Sequence, residues 1–333
     1  MKRFLSFLAI LGLTTIIAVG CSNKEEAGGE GGKTTINIAH IFPESHPGGI
    51  YLDKLAEEVE AKTNGEVTVE IHHNAVLGSE ADEIQQIQAG NLDMALLYGS
   101  SNFQSLDPVF GVEELPFIFS DIEHVYRAYD GAFGKRLTEM LKEHNFEVLS
   151  YWENGFRHFT NNSTAIVEPE DMKGIKFRSA EVPIRLEMFK ILGASAIPMG
   201  FNELFTALQQ GTIDGQENPL STIDSSKFSE VQEYLSLSGH IYNSAPLVAS
   251  SNSLAKLTEE QQQIFIKIVE ELKLEQREHI AKENETLVEK LKGDGMKVND
   301  INKESFVEAV QPLWEDFSEK NGDELINLIL EAK

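Results

Sequence analysis

Apolar positions along the chain fall into two periods. In INIAHI (36–41) and VTVEI (67–71) every second residue is apolar, the spacing of a strand with one buried face. Between them Leu52, Leu55, Ala56 and Val59 recur as one face of a helix over 50–62. LDMALLY (92–98) is a continuous apolar run, as in a strand covered on both faces. The spacing predicts helices over Glu80–Ala89, Ile122–His144, Pro183–Leu192 and Asn202–Gln210, with short strands near 146–151, 175–178, 213–217 and 245–250. Asn202 is placed to cap the last of these helices and Gly211 to end it. Strands alternating with helices predict mostly parallel sheets covered on both faces, an α/β fold.

One segment breaks the alternation. From Thr258 to Leu291, Ile264, Ile268, Leu272, Ile280, Leu287 and Leu291 keep helical spacing, and Thr258 with Gln261 forms a capping box at its start. Such a helix would be on the order of 50 Å long, more than one domain of this size needs. It is expected to bridge two domains or to stand partly alone.

The first 21 residues, MKRFLSFLAILGLTTIIAVGC, pair a basic start with an apolar run and then small residues. The run is shorter than the roughly 20 residues that span a bilayer, so 1–20 reads as an export signal peptide. Cys21, the only cysteine of the chain, has no partner for an internal disulfide and stands where bacterial lipoproteins carry an acylated cysteine. Residues 21–33 are polar and glycine-rich, a flexible tether from that lipid anchor. AGGEGGKT within it lacks the first glycine and the preceding strand of a phosphate-binding loop. The body is therefore expected outside the cytoplasm, on the outer face of the cell membrane or in the periplasm.

Charge narrows the chemistry. Asp and Glu number 54 against 28 Lys and Arg, a formal net charge of -26. Without a basic stripe, nucleic acid is excluded as a partner, and any anionic ligand must be held by a local cluster. Arginine is scarce, and three of the seven, Arg157, Arg178 and Arg185, fall between 157 and 185. If 175–178 is a strand, Phe177 points into the core while Arg178 leaves the opposite face at the strand's carboxyl end, where open α/β sheets bind ligands. Arg157 sits among aromatics in GFRHF, and Asn218 stands at the tip of IDGQENP. On chemistry alone, both arginines could instead pair with surface carboxylates. Enzyme motifs GxSxG, HExxH and CxxC do not occur, and adjacent His72 and His73 on a strand would point to opposite faces. No catalytic residue, metal or cofactor is expected.

The succession GFRHFTNN, PEDMKGIKFR and GASAIPMGFNELFTALQQGTIDGQENP resembles the DctP-like extracytoplasmic solute-binding proteins of TRAP (tripartite ATP-independent periplasmic) transporters. The resemblance runs from about Thr35 to the C terminus and is most specific over 170–219. It implies a two-domain, periplasmic-binding-protein-like (Venus flytrap) fold with crossing strands and a long bridging helix. Residues 34–154 plus 244–283 would form domain I and 155–243 plus 284–333 domain II, with the ligand cleft between them. It further implies a monomeric receptor that closes on an organic acid and delivers it to a membrane permease. Residue by residue, it assigns the principal carboxylate grip to Arg178, a second arginine contact to Arg157 and an orienting contact to Asn218. Glu80 in LGSEADE, Trp152 and Asn154 in YWENG, and Tyr242 match segments that touch the rest of the ligand in such proteins. His46 is expected to cap a helix rather than contact ligand. Gln216, with hydroxyl partners in Glu80, Asn154 and Asn218, favours a sugar acid such as a hexuronate or an aldonate. A C4-dicarboxylate is the second expectation, and a sensory or adhesive surface lipoprotein the alternative outside transport.

Overall fold

The computed structural model describes residues 33–333, so the expected signal peptide, Cys21 and nearly all of the tether lie outside the described residues. Ten strands follow one another as β1 (Thr34–Ala39), β2 (Val67–His72), β3 (Met94–Leu96), β4 (Phe146–Asn161), β5 (Lys176–Ser179), β6 (Ser195–Pro198), β7 (Gly215–Pro219), β8 (Tyr234–Leu237), β9 (Tyr242–Ser250) and β10 (Lys297–Asp300). In a first lobe, β2, β1 and β3 run parallel, and β9 joins β3 antiparallel. In a second, β7, β5 and β6 run parallel, and β10 pairs with β8.

One strand belongs to both. The first part of β4, Phe146–Phe156, pairs with β9, and its last five residues pair with β7 on one side and, from Phe159, β8 on the other. At about 3.3 Å per residue, 16 residues reach across both lobes. The changeover is marked by a bulge between Glu153 and Gly155. Gly155 has φ +126°, and a Cβ there would lie 3.3 Å from that of Pro219, so both backbone and neighbour call for glycine. The strand expected near 146–151 runs on to Asn161.

The expected long helix is present as Glu259–Gly293, with the Thr258–Gln261 capping box at its start. Phe265, Ile268, Val269 and Leu272 enter the apolar core of the first lobe with Leu52, Leu55 and Leu247. Leu287 and Leu291 enter a second core with Leu204, Ile223 and Leu235. The helix thus serves both lobes. Helices Glu80–Ala89, Pro183–Ile191 and Phe201–Gln209 also lie where the spacing put them. The last begins one residue early, with Gly200 rather than Asn202 as its cap.

One expectation is corrected. The single helix over Ile122–His144 is two, Ile122–Tyr129 and Ala132–Glu143. A Cβ at Gly131 would meet the Arg127 carbonyl oxygen at 2.4 Å, so the chain turns there in a way a continuous helix does not. The final helix, Glu324–Leu330, packs on Ala132–Glu143, where Arg136 Nε donates to Glu324 at 2.7 Å, and His124 Nε2 of Ile122–Tyr129 donates to the Ile329 carbonyl at 2.7 Å. Among the described residues no helix is long and apolar enough to cross a membrane.

Replacing Gly155 by Ala is expected to destabilise the protein by about 1–3 kcal/mol, through positive-φ strain and contact with Pro219. Urea melts of the two proteins measure it, and equal stabilities would contradict the strained crossing.

Candidate functional site

Strand β5 alternates as its sequence requires: Lys176 is exposed, Phe177 is fully buried in the core and Arg178 is buried on the opposite face. From the end of β5, Arg178 lines a pocket of about 160 Å³ with Glu80, Ser101, Asn102, Met199 and Phe201. Its Nε donates to the Met199 carbonyl at 2.9 Å, and its guanidinium carbon lies 5.9 Å from the centre of the Phe201 ring. Among the described residues neither Nη1 nor Nη2 is engaged by a protein acceptor, and no carboxylate forms an ion pair with it. Burial pulls its pKa down to about 10, so the group stays charged at neutral pH while lacking a counter-ion. An uncompensated buried cation of this kind is costly unless an anion joins it.

Across the pocket, Glu80 is the first residue of its helix, which Ser79 caps through a box with Asp82. Glu80 Oε1 accepts from the Tyr98 amide at 2.6 Å and from Asn102 Nδ2 at 2.9 Å. Burial pushes this carboxyl up to about 7, against the pull of the Tyr98 amide and of Arg178.

Behind Arg178 lies a buried ionic cluster. Arg157 and Glu217 lie on one face of the antiparallel β4–β7 pair, with Arg157 opposite Pro219 and hence diagonal to Glu217. Arg157 Nε and Nη2 both donate to the Glu217 carboxylate, and Nη2 also donates to Asn218 Oδ1 at 3.0 Å. Arg185 Nη1 donates to the same carboxylate at 3.1 Å. Its Nε and Nη2 donate to Glu114 at 2.8 and 2.5 Å, and Nη2 also donates to Asn243 Oδ1 at 3.0 Å. Burial would raise Glu114 and Glu217, but Arg185 at the first, and Arg157 with Arg185 at the second, outweigh it and hold both below the usual carboxylate range.

The residues singled out in the sequence therefore separate into groups. Arg178 and Glu80 share one pocket. Arg157, Asn218 and Gln216 form a linked chain behind it, in which Asn218 Nδ2 donates to Gln216 Oε1 and Gln216 Nε2 donates to Thr160 at 2.8 Å. Arg157 spends Nε and Nη2 on this framework, so its expected role as a free second donor shrinks to Nη1. Trp152 is fully buried under the long helix, donating Nε1 to the Val269 carbonyl at 3.2 Å, and lies in the core rather than in the pocket. Tyr242 packs against Phe119 and Phe156 and is likewise a core residue. Asn154 is fully buried, with neither side-chain polar atom bonded, beside a separate cavity of about 510 Å³ near Ser221 and the long helix. His46 caps the helix Pro47–Lys62 as expected, its Nδ1 accepting from the Gly48 amide at 3.0 Å, while Nε2 lies 3.2 Å from Thr222 Oγ1 of the second lobe. Sequence reasoning gave no role to Glu217, Glu114 or Arg185. The clustering of arginines over 157–185 was the signal that contained the last.

Residues 38–321 match the family described as bacterial extracellular solute-binding protein, family 7. A sugar acid binding protein of Advenella mimigardefordensis, solved in complex with galactonate, is 35% identical and superposes with a TM-score of 0.87, covering 90% of this chain and 98% of the other. A TRAP periplasmic solute binding protein of Chromohalobacter salexigens with bound D-glucuronate is 32% identical, with a TM-score of 0.85 and coverage of 90% and 100%. Another from Sulfurospirillum deleyianum, with bound succinate, is 31% identical, with a TM-score of 0.86 and coverage of 91% and 100%.

Because folding raises Glu80 above its ordinary 4.5, the folded protein keeps a proton there that the unfolded chain releases, and stability is lost as pH rises from 4.5 to about 7. Glu80→Gln removes that loss. The stability of the Gln variant relative to wild type is expected to rise by on the order of 1–2 kcal/mol between pH 5 and pH 8. Paired thermal melts at both pH values test it, and a pH-independent difference would contradict the assigned environment.

Proposed function

Because the chain belongs to the bacterial extracellular solute-binding proteins of family 7, we propose that it is the extracytoplasmic receptor of a TRAP transporter. In this reading it closes on one small carboxylated solute between its lobes and passes it to a membrane permease. The single observation that carries the reading is Arg178, buried with two guanidinium nitrogens unengaged and, among the described residues, no carboxylate in an ion pair with it. A carboxylate arriving from solution completes the pair with two parallel hydrogen bonds, the geometry a guanidinium offers and an ammonium does not. Arg157, held by Glu217 and Asn218, contributes positive potential and Nη1 from behind.

The favoured ligand is a sugar acid, a hexuronate or an aldonate. Glu80 and Asn102 face Arg178 across the pocket, where hydroxyls of a polyhydroxylated acid find partners. When ionised, Glu80 repels a second carboxylate, which counts against a C4-dicarboxylate. That proteins similar to this one bind galactonate and D-glucuronate supports the same choice. The mature protein is proposed to be a monomer tethered through a lipid on Cys21, with domains meeting at the Gly155 crossing. The receptor catalyses nothing in this reading.

A thermal-shift screen of the protein from Thr34 onward against organic acids identifies the ligand, since a solute at 100 times its Kd adds about 2.7 kcal/mol of stability. With that ligand, Arg178→Lys is expected to bind at least about tenfold more weakly although the charge is kept. Isothermal titration giving equal affinities would remove Arg178 from the grip.

A further inference from the structure

Glu217 and Glu114 differ from the other buried acids near the pocket in being fully committed to arginines. Glu217 is shared between Arg157 and Arg185, and Glu114 takes the other edge of Arg185. Glu114 Oε1 also accepts from Ser101 Oγ at 2.6 Å, and Ser101 lines the same pocket as Arg178. The chain of contacts Arg157–Glu217–Arg185–Glu114–Ser101 therefore runs from the strands of the second lobe to the pocket wall of the first. All three guanidiniums and both carboxylates are buried.

We propose that Arg185 and Glu114, neither of which lines the pocket, set at one the number of negative charges the pocket accepts, because the cluster leaves one of three buried guanidiniums without a carboxylate. The inference rests on reading the pocket as a carboxylate site. Three arginines against two carboxylates, 3 − 2, leave a surplus of one positive charge, located on Arg178. Glu181 also lines the pocket but is exposed to solvent, which screens it, and the buried titratable groups around the cluster do not change that count in mildly acidic buffer. Glu80 and Glu113 are pushed up to about 7 by burial, and burial keeps His158 and His240 neutral. A monoanion balances the surplus, whereas a dianion leaves a buried negative charge with no partner. Arg185 is in this sense a positioning and charge-setting residue that acts through Glu217 and Glu114.

Changing the count should change ligand preference, which a packing role for these residues would not do. Glu114→Gln keeps the shape, leaves Arg185 its bonds to Glu217 and Asn243, and raises the surplus to two. Glu114→Gln combined with Arg185→Met returns it to one. Isothermal titration at pH 6 with galactonate as monoanion and succinate as dianion gives the affinity ratio for each protein. The single variant is expected to shift that ratio at least about tenfold towards succinate, and the double variant to bring it back to within about threefold of wild type. An unchanged ratio in the single variant, or an equal shift in both, overturns the inference. Glu217→Gln makes the same charge change and repeats the test should the Glu114 variant fail to fold. Wild type binding neither probe would instead defeat the carboxylate reading, and the inference with it.

Discussion

A guanidinium shut away from water with no carboxylate to answer it is the constraint on which this molecule turns. Arg178 is buried, keeps one hydrogen bond to a backbone carbonyl and leaves two nitrogens idle. In a chain with almost twice as many acids as bases, a counter-ion would have been easy to supply. Arg157, Arg185 and Arg277 all have one. Among the buried arginines of the described residues the exception is Arg178 alone, and its cost is understandable if folding leaves the place of the anion to be filled from solution. The surrounding cluster keeps the neighbouring guanidiniums occupied so that one positive charge, in one place, is left over.

The scaffold that holds this arrangement is built from two long elements. Strand β4 passes from one sheet into the other at the Gly155 bulge, and the helix Glu259–Gly293 lays one end on each lobe. Both fix where the lobes meet, so the Arg157–Glu217 pair on the far side of the bulge is set against Glu114 and Ser101 on the near side. His46, capping a first-lobe helix while its other ring nitrogen meets Thr222, adds a polar contact across the same cleft.

Elements governed by local rules were legible in the sequence. The capping box at Thr258, the apolar stripe of the long helix and the in–out alternation of Phe177 and Arg178 all follow from near neighbours in the chain. What was hidden depends on partners far away. The full length of β4 is set by its ladders to β9, β7 and β8, and the break at Gly131 depends on close approach to the Arg127 carbonyl. The resemblance to known receptors assigned Arg178 and Glu80 to one ligand, and the two line one pocket. It gave no warning that Trp152 and Tyr242 would be consumed by the core, because an aromatic beside a polar strand suits either setting. Glu217 was overlooked since a carboxylate in an anion site looks misplaced until the second guanidinium, Arg185, is seen on its other oxygen.

A crystal structure of the protein grown with galactonate is the most direct trial of the unpaired guanidinium as the seat of the ligand. The carboxylate should lie in the plane of Arg178 with its two oxygens about 3 Å from Nη1 and Nη2, and the sugar-acid hydroxyls should point towards Glu80 and Asn102. A carboxylate seated elsewhere, with Arg178 facing bulk water or turned onto a protein acid, would contradict it.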